Sequence, residues 1–368
     1  MILLYLTNSI DGAGGLERVL GIKASYLADK LGYEVHILTL NESQPVPFYA
    51  FSSKVYFHSI EVEDNPVSYI LSYVKGIKKA IKTIQPDVIS VCDDGLKGFF
   101  TPLILGKKSA IIYERHVSKE IEMQEHFSWI KKKGVLLKWS LMALLAKKFK
   151  FFVVLTNGNL NEWTGLKNLK VIPNPLPFFP PKQANLQNKK VIAVGKQSYQ
   201  KSYDRLLNSW ALLDPEFQDW QLHIYGKIDK SLGLEKLAQS LKIENQVFFH
   251  PPEKKIEEKY AESSIFVLSS RYEGFGMVLI EAMSFGIPCV SFDCNYGPSD
   301  IITNNEDGFL IPNGNEKQFA AKLELLMKNQ ELRSKMGDKA RENVQRFLPE
   351  NVFKYWSKLF NDLIYYNK

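Results

Sequence analysis

Short apolar runs that end in a polar or glycine-bearing tip and then hand over to a longer stretch of helical spacing recur along this chain. ILLYLTNS at 2–9, EVHILTL at 34–40, PDVISVC at 86–92, SAIIYERH at 109–116 and FFVVLTN at 151–157 read as strands. Between them, GLERVLGIKASYLADKLGY and YILSYVKGIKKAIKTIQ place apolar residues three and four apart. Nearly continuous apolar runs suit strands covered on both faces, and a helix between successive strands is what parallel pairing requires. The first half therefore predicts a doubly wound parallel sheet.

PNPLPFFPPKQANLQN at 173–188 breaks the alternation with five prolines and no periodicity. After it the pattern restarts with KKVIAVG, WQLHIYG, QVFFH, SIFVLSS, PCVSF and DGFLIP, separated by helical stretches. A chain of 368 residues has room for two cores. We expect an α/β protein with an N-terminal Rossmann-like domain at 1–175, a Pro-rich linker at 176–188 and a second Rossmann-like domain at 189–348. A C-terminal helix at 349–368 is expected to pack back on the first domain. Two such domains facing one another would form a cleft at their strand carboxyl ends.

The stretch SSRYEGFGMVLIEAMSFG, 269–286, carries the chemistry. RYEGFG follows the strand IFVLSS, so it sits where open α/β sheets bind ligands. Gly274 and Gly276 free the backbone for a tight turn, and Gly286 and Pro288 end the helix that follows. That helix's first amides are unpaired donors suited to a phosphate. Glu273 and Glu281 flank this anion site and would repel a phosphate unless each faces neutral donors such as sugar hydroxyls. A nucleotide sugar offers hydroxyls on both sides of its diphosphate, so one glutamate could hold the hexose and the other the ribose. Positive charge comes from Lys196 and Lys201 in the loop after VIAVG, which would also stabilise charge growing on a leaving group. No D-x-D motif occurs, so lysines and helix amides take the place of a metal ion.

Other classes fit less well. A net charge of +7 favours anionic partners, but no nucleic-acid-binding signature is present. GAGG falls short of a dinucleotide fingerprint because Glu17 stands where the third glycine is needed. Cys92, Cys289 and Cys294 form no C-x-x-C pair, which argues against a disulfide framework or zinc site and for a reducing cytoplasm. MILLYLTNSI reads as a first strand rather than a signal peptide, and no apolar stretch is long enough to span a bilayer. WIKKKGVLLKWSLMALLAKKFKFF, 129–152, combines seven lysines with an apolar stripe. It reads equally as an ordinary core helix or as a contact with the anionic inner face of a membrane.

Together, Glu273 to Glu281 as E-x7-E, VGKxxxxK, VIPNP at 171–175 and NSIDGAGGLERVL resemble the family 4 retaining glycosyltransferases of GT-B fold. The resemblance implies Glu273 on the donor sugar with the amides of Gly274, Phe275, Gly276 and Met277, Glu281 on the ribose, and Lys196 and Lys201 on the diphosphate. It implies that Gly14 and Gly15 approach that diphosphate, and that Arg115 or His116, in YERH, stands near the reacting sugar. SFDCNYGPSDII resembles a branch that moves hexoses or N-acetylhexosamines from UDP to lipid-linked or surface glycans, with Asn295 where proline is commoner. The expectation is a transferase that needs no cofactor beyond its donor. A nucleotide-sugar epimerase and a binding-only subunit of a glycan-assembly complex are the alternatives.

Overall fold

The computed structural model describes all residues except 13, 43–45, 107–109, 124–126 and 366–368. It divides into two compact units, Met1–Pro177 with Pro349–Lys368, and Phe178–Leu348.

In the first unit, β1 (Ile2–Leu6), β2 (Glu34–Leu40), β3 (Val55–Ile60), β4 (Val88–Val91), β5 (Ile111–Glu114), β6 (Phe151–Val154) and β7 (Leu169–Val171) form one parallel sheet in the order β3-β2-β1-β4-β5-β6-β7. The sheet is buried on both faces because its strands alternate between two apolar clusters. Leu3 and Tyr5 pack with Leu20, Ala24 and Leu27 of the Gly15–Asp29 helix. Leu4 and Leu6 pack with Tyr73 and Ile77 of Pro66–Ile84 and with Met142 and Leu145 of Trp129–Ala146. The Pro349–Tyr365 helix joins the first cluster through Val352, Phe353, Trp356 and Phe360, with Phe353 stacked on Tyr26 at 4.3 Å between ring centroids. The edge strands β3 and β7 lack the long apolar run that marks the others, being half-exposed.

The second unit repeats the plan. Strands β8 (Lys190–Val194), β9 (Gln221–Tyr225), β10 (Val247–His250), β11 (Ile265–Leu268), β12 (Cys289–Asp293) and β13 (Gly308–Pro312) pair in parallel in the order β10-β9-β8-β11-β12-β13. The Pro-rich stretch is fastened to this unit by backbone groups. Ala184 N–H donates to Phe285 O at 2.8 Å, Arg333 Nε to Leu186 O at 2.9 Å and Arg341 Nη2 to Pro180 O at 2.5 Å.

In each sheet the chain steps outward in one direction and then returns to the other side of its first strand. The order reverses between β1 and β4 and between β8 and β11. At such a switch point the loops leave in opposite directions and open a crevice beyond the strand carboxyl ends.

Candidate functional site

The switch point of the second unit gathers the motif residues. β8 ends at Val194 and leads through Gly195 into the lysine loop; β11 ends at Leu268 and leads into SSRYEGFG. Across this gap Lys201 Nζ donates to Glu273 Oε1 at 2.7 Å, and Ser270 Oγ donates to the same oxygen at 2.6 Å. Both side chains of the ion pair are mostly buried. The Lys201 stem runs over Gly195, where a Cβ would meet Lys201 Cε at 2.7 Å, so the glycine is required for the lysine to reach the carboxylate. Tyr203 OH donates to Gly195 O at 2.9 Å, and burial beside Glu273 pushes its hydroxyl upward, keeping it a neutral donor.

Gly276 takes φ +95° at the N-cap of the Met277–Ser284 helix, a conformation that favours glycine, and turns the chain so that the helix amides open beside Glu273. Gly274 and Met277 are partly exposed there. The Phe275 side chain is buried edge-on against Phe347, so only its backbone can serve a ligand. Glu281 lies one turn into the helix, is almost wholly buried, and accepts a 3.0 Å hydrogen bond from Tyr260 OH. Lys196 is exposed in the same loop as Lys201, with no ion-pair partner among the described residues.

Two residues absent from the sequence reading hold this arrangement. Arg271 grips Asp204 with two hydrogen bonds, Nη1 to Oδ1 at 3.0 Å and Nη2 to Oδ2 at 2.7 Å, while its guanidinium lies 4.1 Å from the Tyr199 ring centroid. Its backbone N–H donates to Gln200 O at 2.8 Å. The lysine loop is thus clasped to the strand-end motif. Burial pushes the Asp204 carboxyl up, but the Arg271 hydrogen bonds and charge outweigh it and hold it below the usual range. The available signal was an arginine two positions before the E-G-F-G motif and an aspartate on the first helical turn after the second lysine.

In the first unit the end of β5 carries Glu114, Arg115 and His116. Glu114 and Lys23 form a buried ion pair of 2.6 Å, and Ser90 Oγ also donates to Glu114. Burial pushes Glu114 up, yet the Lys23 charge, the nearby His116 ring and the Lys23 hydrogen bond prevail and lower it to about 2. His116 Nε2 lies 3.5 Å from Glu114 Oε2, and Arg115 Nη1 donates to Asp94 O at 2.8 Å. Both residues therefore point into the protein around the β4 and β5 ends. Cys92, Glu114 and His116 bring possible ligand atoms within 4.8 Å of one another. The set does not fit a metal centre, because Lys23 and Ser90 already occupy Glu114 Oε1 and burial pushes the Cys92 thiol well up, away from the thiolate a metal ion needs.

At the β1 end, Gly14 caps the Gly15–Asp29 helix without a side-chain partner, and Gly15 faces open space. The Glu17 carboxylate folds back against this loop, so that a Cβ on Gly12 would meet its Oε1 at 2.6 Å and one on Gly14 would overlap it outright. A carboxylate already sits at the anion-attracting end of this helix.

The model of "Glycosyl transferases group 1" matches residues 177–343, and that of "Glycosyl transferase 4-like" matches residues 18–153. The chain is 30% identical to an uncharacterized glycosyltransferase of Haemophilus influenzae over 96% of its own length and 98% of that protein's. It is 31% identical to the amylovoran biosynthesis glycosyltransferase AmsD of Erwinia amylovora, over 98% of this chain and 99% of that one. Its fold matches a mutant of S. aureus TarM in complex with Fondaparinux, alpha-GlcNAc-glycerol and UDP, with TM-score 0.79 at 18% identity, over 98% and 99% of the two chains.

Proposed function

We propose, from the premise that this chain belongs to the group 1 glycosyl transferases and so to the family 4 enzymes of glycan assembly, that it moves a hexose or N-acetylhexosamine from a UDP-linked donor to a hydroxyl of a glycan or lipid-linked oligosaccharide. In this reading the configuration is retained and no metal ion takes part.

The observation that carries the proposal is the Lys201–Glu273 pair at the switch point of the second unit. A diphosphate needs cations and amide donors, and the sugar beside it needs an acceptor for its hydroxyls; Lys201 and Glu273 supply both within one contact. Lys201, Lys196 and the amides after Gly274 would stabilise the charge that gathers on the departing diphosphate. Glu273 would hold the sugar and Glu281 the ribose. As the acceptor oxygen bonds to the anomeric carbon, the bond to phosphate breaks with its electron pair going to UDP, and the acceptor's proton passes to that leaving oxygen. Arg115 or His116, at the end of β5, would stand near the reacting sugar. UDP is named because the S. aureus neighbour was solved with it, and a glycan acceptor agrees with the relative named for amylovoran biosynthesis.

The test is calorimetric titration with UDP, followed by incubation with UDP-hexoses and UDP-N-acetylhexosamines in EDTA while UDP release is scored. We expect binding and slow, sugar-selective release that EDTA leaves unchanged. Failure to bind UDP or any other nucleoside diphosphate overturns the proposal, and conversion of the donor sugar without release points to an epimerase.

A further inference from the structure

Two helices of the first unit carry large apolar residues on the side that water touches. On Trp129–Ala146 the residues Met142, Leu145 and Ala146 face the core, yet Trp129, Ile130, Leu136, Leu137 and Leu144 are exposed, Leu137 at 74% and Trp129 at 67%. By helical geometry those five fall within about a third of the circumference. On Pro66–Ile84 the first two turns expose Val67, Ile70 and Leu71, and the later turns expose Lys75, Lys78, Lys79 and Lys82. The helices pack on the same sheet face, since Tyr73 and Ile77 share a cluster with Met142 and Leu145. Each begins at the strand carboxyl ends, as crossovers from β3 to β4 and from β5 to β6. An outward apolar face on a basic helix, interrupted by Lys133 and Ser140, is not needed for the core and marks an interaction surface.

Charge decides the occupant. Each of the two helices carries four lysines and neither has an acidic residue. The first unit contains 25 basic and 18 acidic residues and the second 22 of each, so the whole net charge of +7 belongs to the unit with the exposed stripe. We propose that this face lies on an anionic lipid bilayer, the exposed leucines and Trp129 entering the headgroup boundary and the flanking lysines meeting lipid phosphates. It lies on the bilayer rather than across it, because no helix among the described residues is long and apolar enough to span. The docking surface then brings the strand end that carries Arg115 and His116 toward lipid, where a lipid-linked acceptor is presented. The proposal stands on exposure and charge and is independent of the donor reading.

The experiment is flotation of the full chain with vesicles of phosphatidylcholine alone and with phosphatidylglycerol added, at low and high salt. We expect recovery with the anionic vesicles, loss of it in high salt, and a fall of about fivefold in partition for each of Lys131, Lys132 and Lys133 changed to Gln. The Leu136→Ser/Leu137→Ser/Leu144→Ser variant should lose binding while keeping the wild-type circular dichroism and melting temperature, which shows that its loss is not unfolding. Equal recovery on neutral and anionic vesicles overturns the proposal. So does a leucine variant that still floats, or a wild-type dimer in light scattering that this variant converts to monomer, which would make the face a contact between copies of the chain.

Discussion

Glu273 and Glu281 are eight positions apart in one motif, yet their surroundings differ. Glu273 shares a proton-rich corner with Lys201 and Ser270, at the mouth of the switch point, whereas Glu281 is enclosed and held by Tyr260. Replacing Glu273 by Ala should lower the transfer kcat by about 10²–10³ and leave UDP affinity nearly unchanged. Glu281→Ala should chiefly raise the donor KM, by about tenfold. Comparable, near-native steady-state constants in both variants would remove the assignment. Arg271 acts through the loop it clasps, so Arg271→Ala should raise the donor KM more than it lowers kcat. Arg271→Lys should recover only part of the loss, since an ammonium cannot reproduce the two-pronged grip on Asp204; a full rescue by Lys in initial-rate measurements would show that charge alone matters.

At the scale of elements, the C-terminal helix is tied to the first sheet by a buried cation. Lys23 lies on the apolar stripe of its own helix between Val19, Leu20, Ala24 and Leu27, and its Nζ sits between the Glu114 carboxylate and the Trp356 ring, 2.9 Å from the ring centroid. Lys23→Met strands a buried carboxylate and should cost about 3–5 kcal/mol in chemical denaturation, and Lys23→Met/Glu114→Gln should recover much of it. The pH dependence has a definite sign. The Glu114 pKa is depressed from the usual 4.5 to about 2, so the folded chain binds fewer protons than the unfolded one in that interval. The stabilisation is present above about pH 4.5 and is lost as pH falls toward 2. Denaturation midpoints across that interval should slope less in the double variant than in the wild type; identical slopes would exclude Glu114 as a source of the acid sensitivity.

For the molecule as a whole, the two units share a plan and differ in charge. The second unit is balanced and holds the paired lysine and glutamate; the first carries the entire excess of positive charge. A ligand that binds only the folded second unit stabilises it by about 2.7 kcal/mol at a hundred times its Kd. Hydrogen exchange with saturating UDP should therefore slow most at residues 195–204 and 270–281. Protection spread evenly over both sheets, or confined to the first, would contradict a donor site at the β8 and β11 ends.

Strand identity, parallel pairing and the position of E-x7-E after a strand were all legible in the sequence, because hydrophobic period and turn chemistry are local properties of a few adjacent residues. The short edge strands β3 and β7 were not, since half-exposed strands of three to six residues carry no apolar run. Nor was the fate of any single charge. Lys201 and Lys196 look alike in VGKQSYQK, but only one meets a carboxylate, 72 residues away; Arg271 finds Asp204 at a separation of 67, and Lys23 finds Glu114 at 91. The outward turn of Leu136, Leu137 and Leu144 was likewise undecided by a helix whose apolar residues surround it. Local patterning specified two α/β sheets and the loops that hold the chemistry. Which charges are paired, which are buried and which apolar face meets solvent depended on contacts between distant segments, and those form only when the sheets pack.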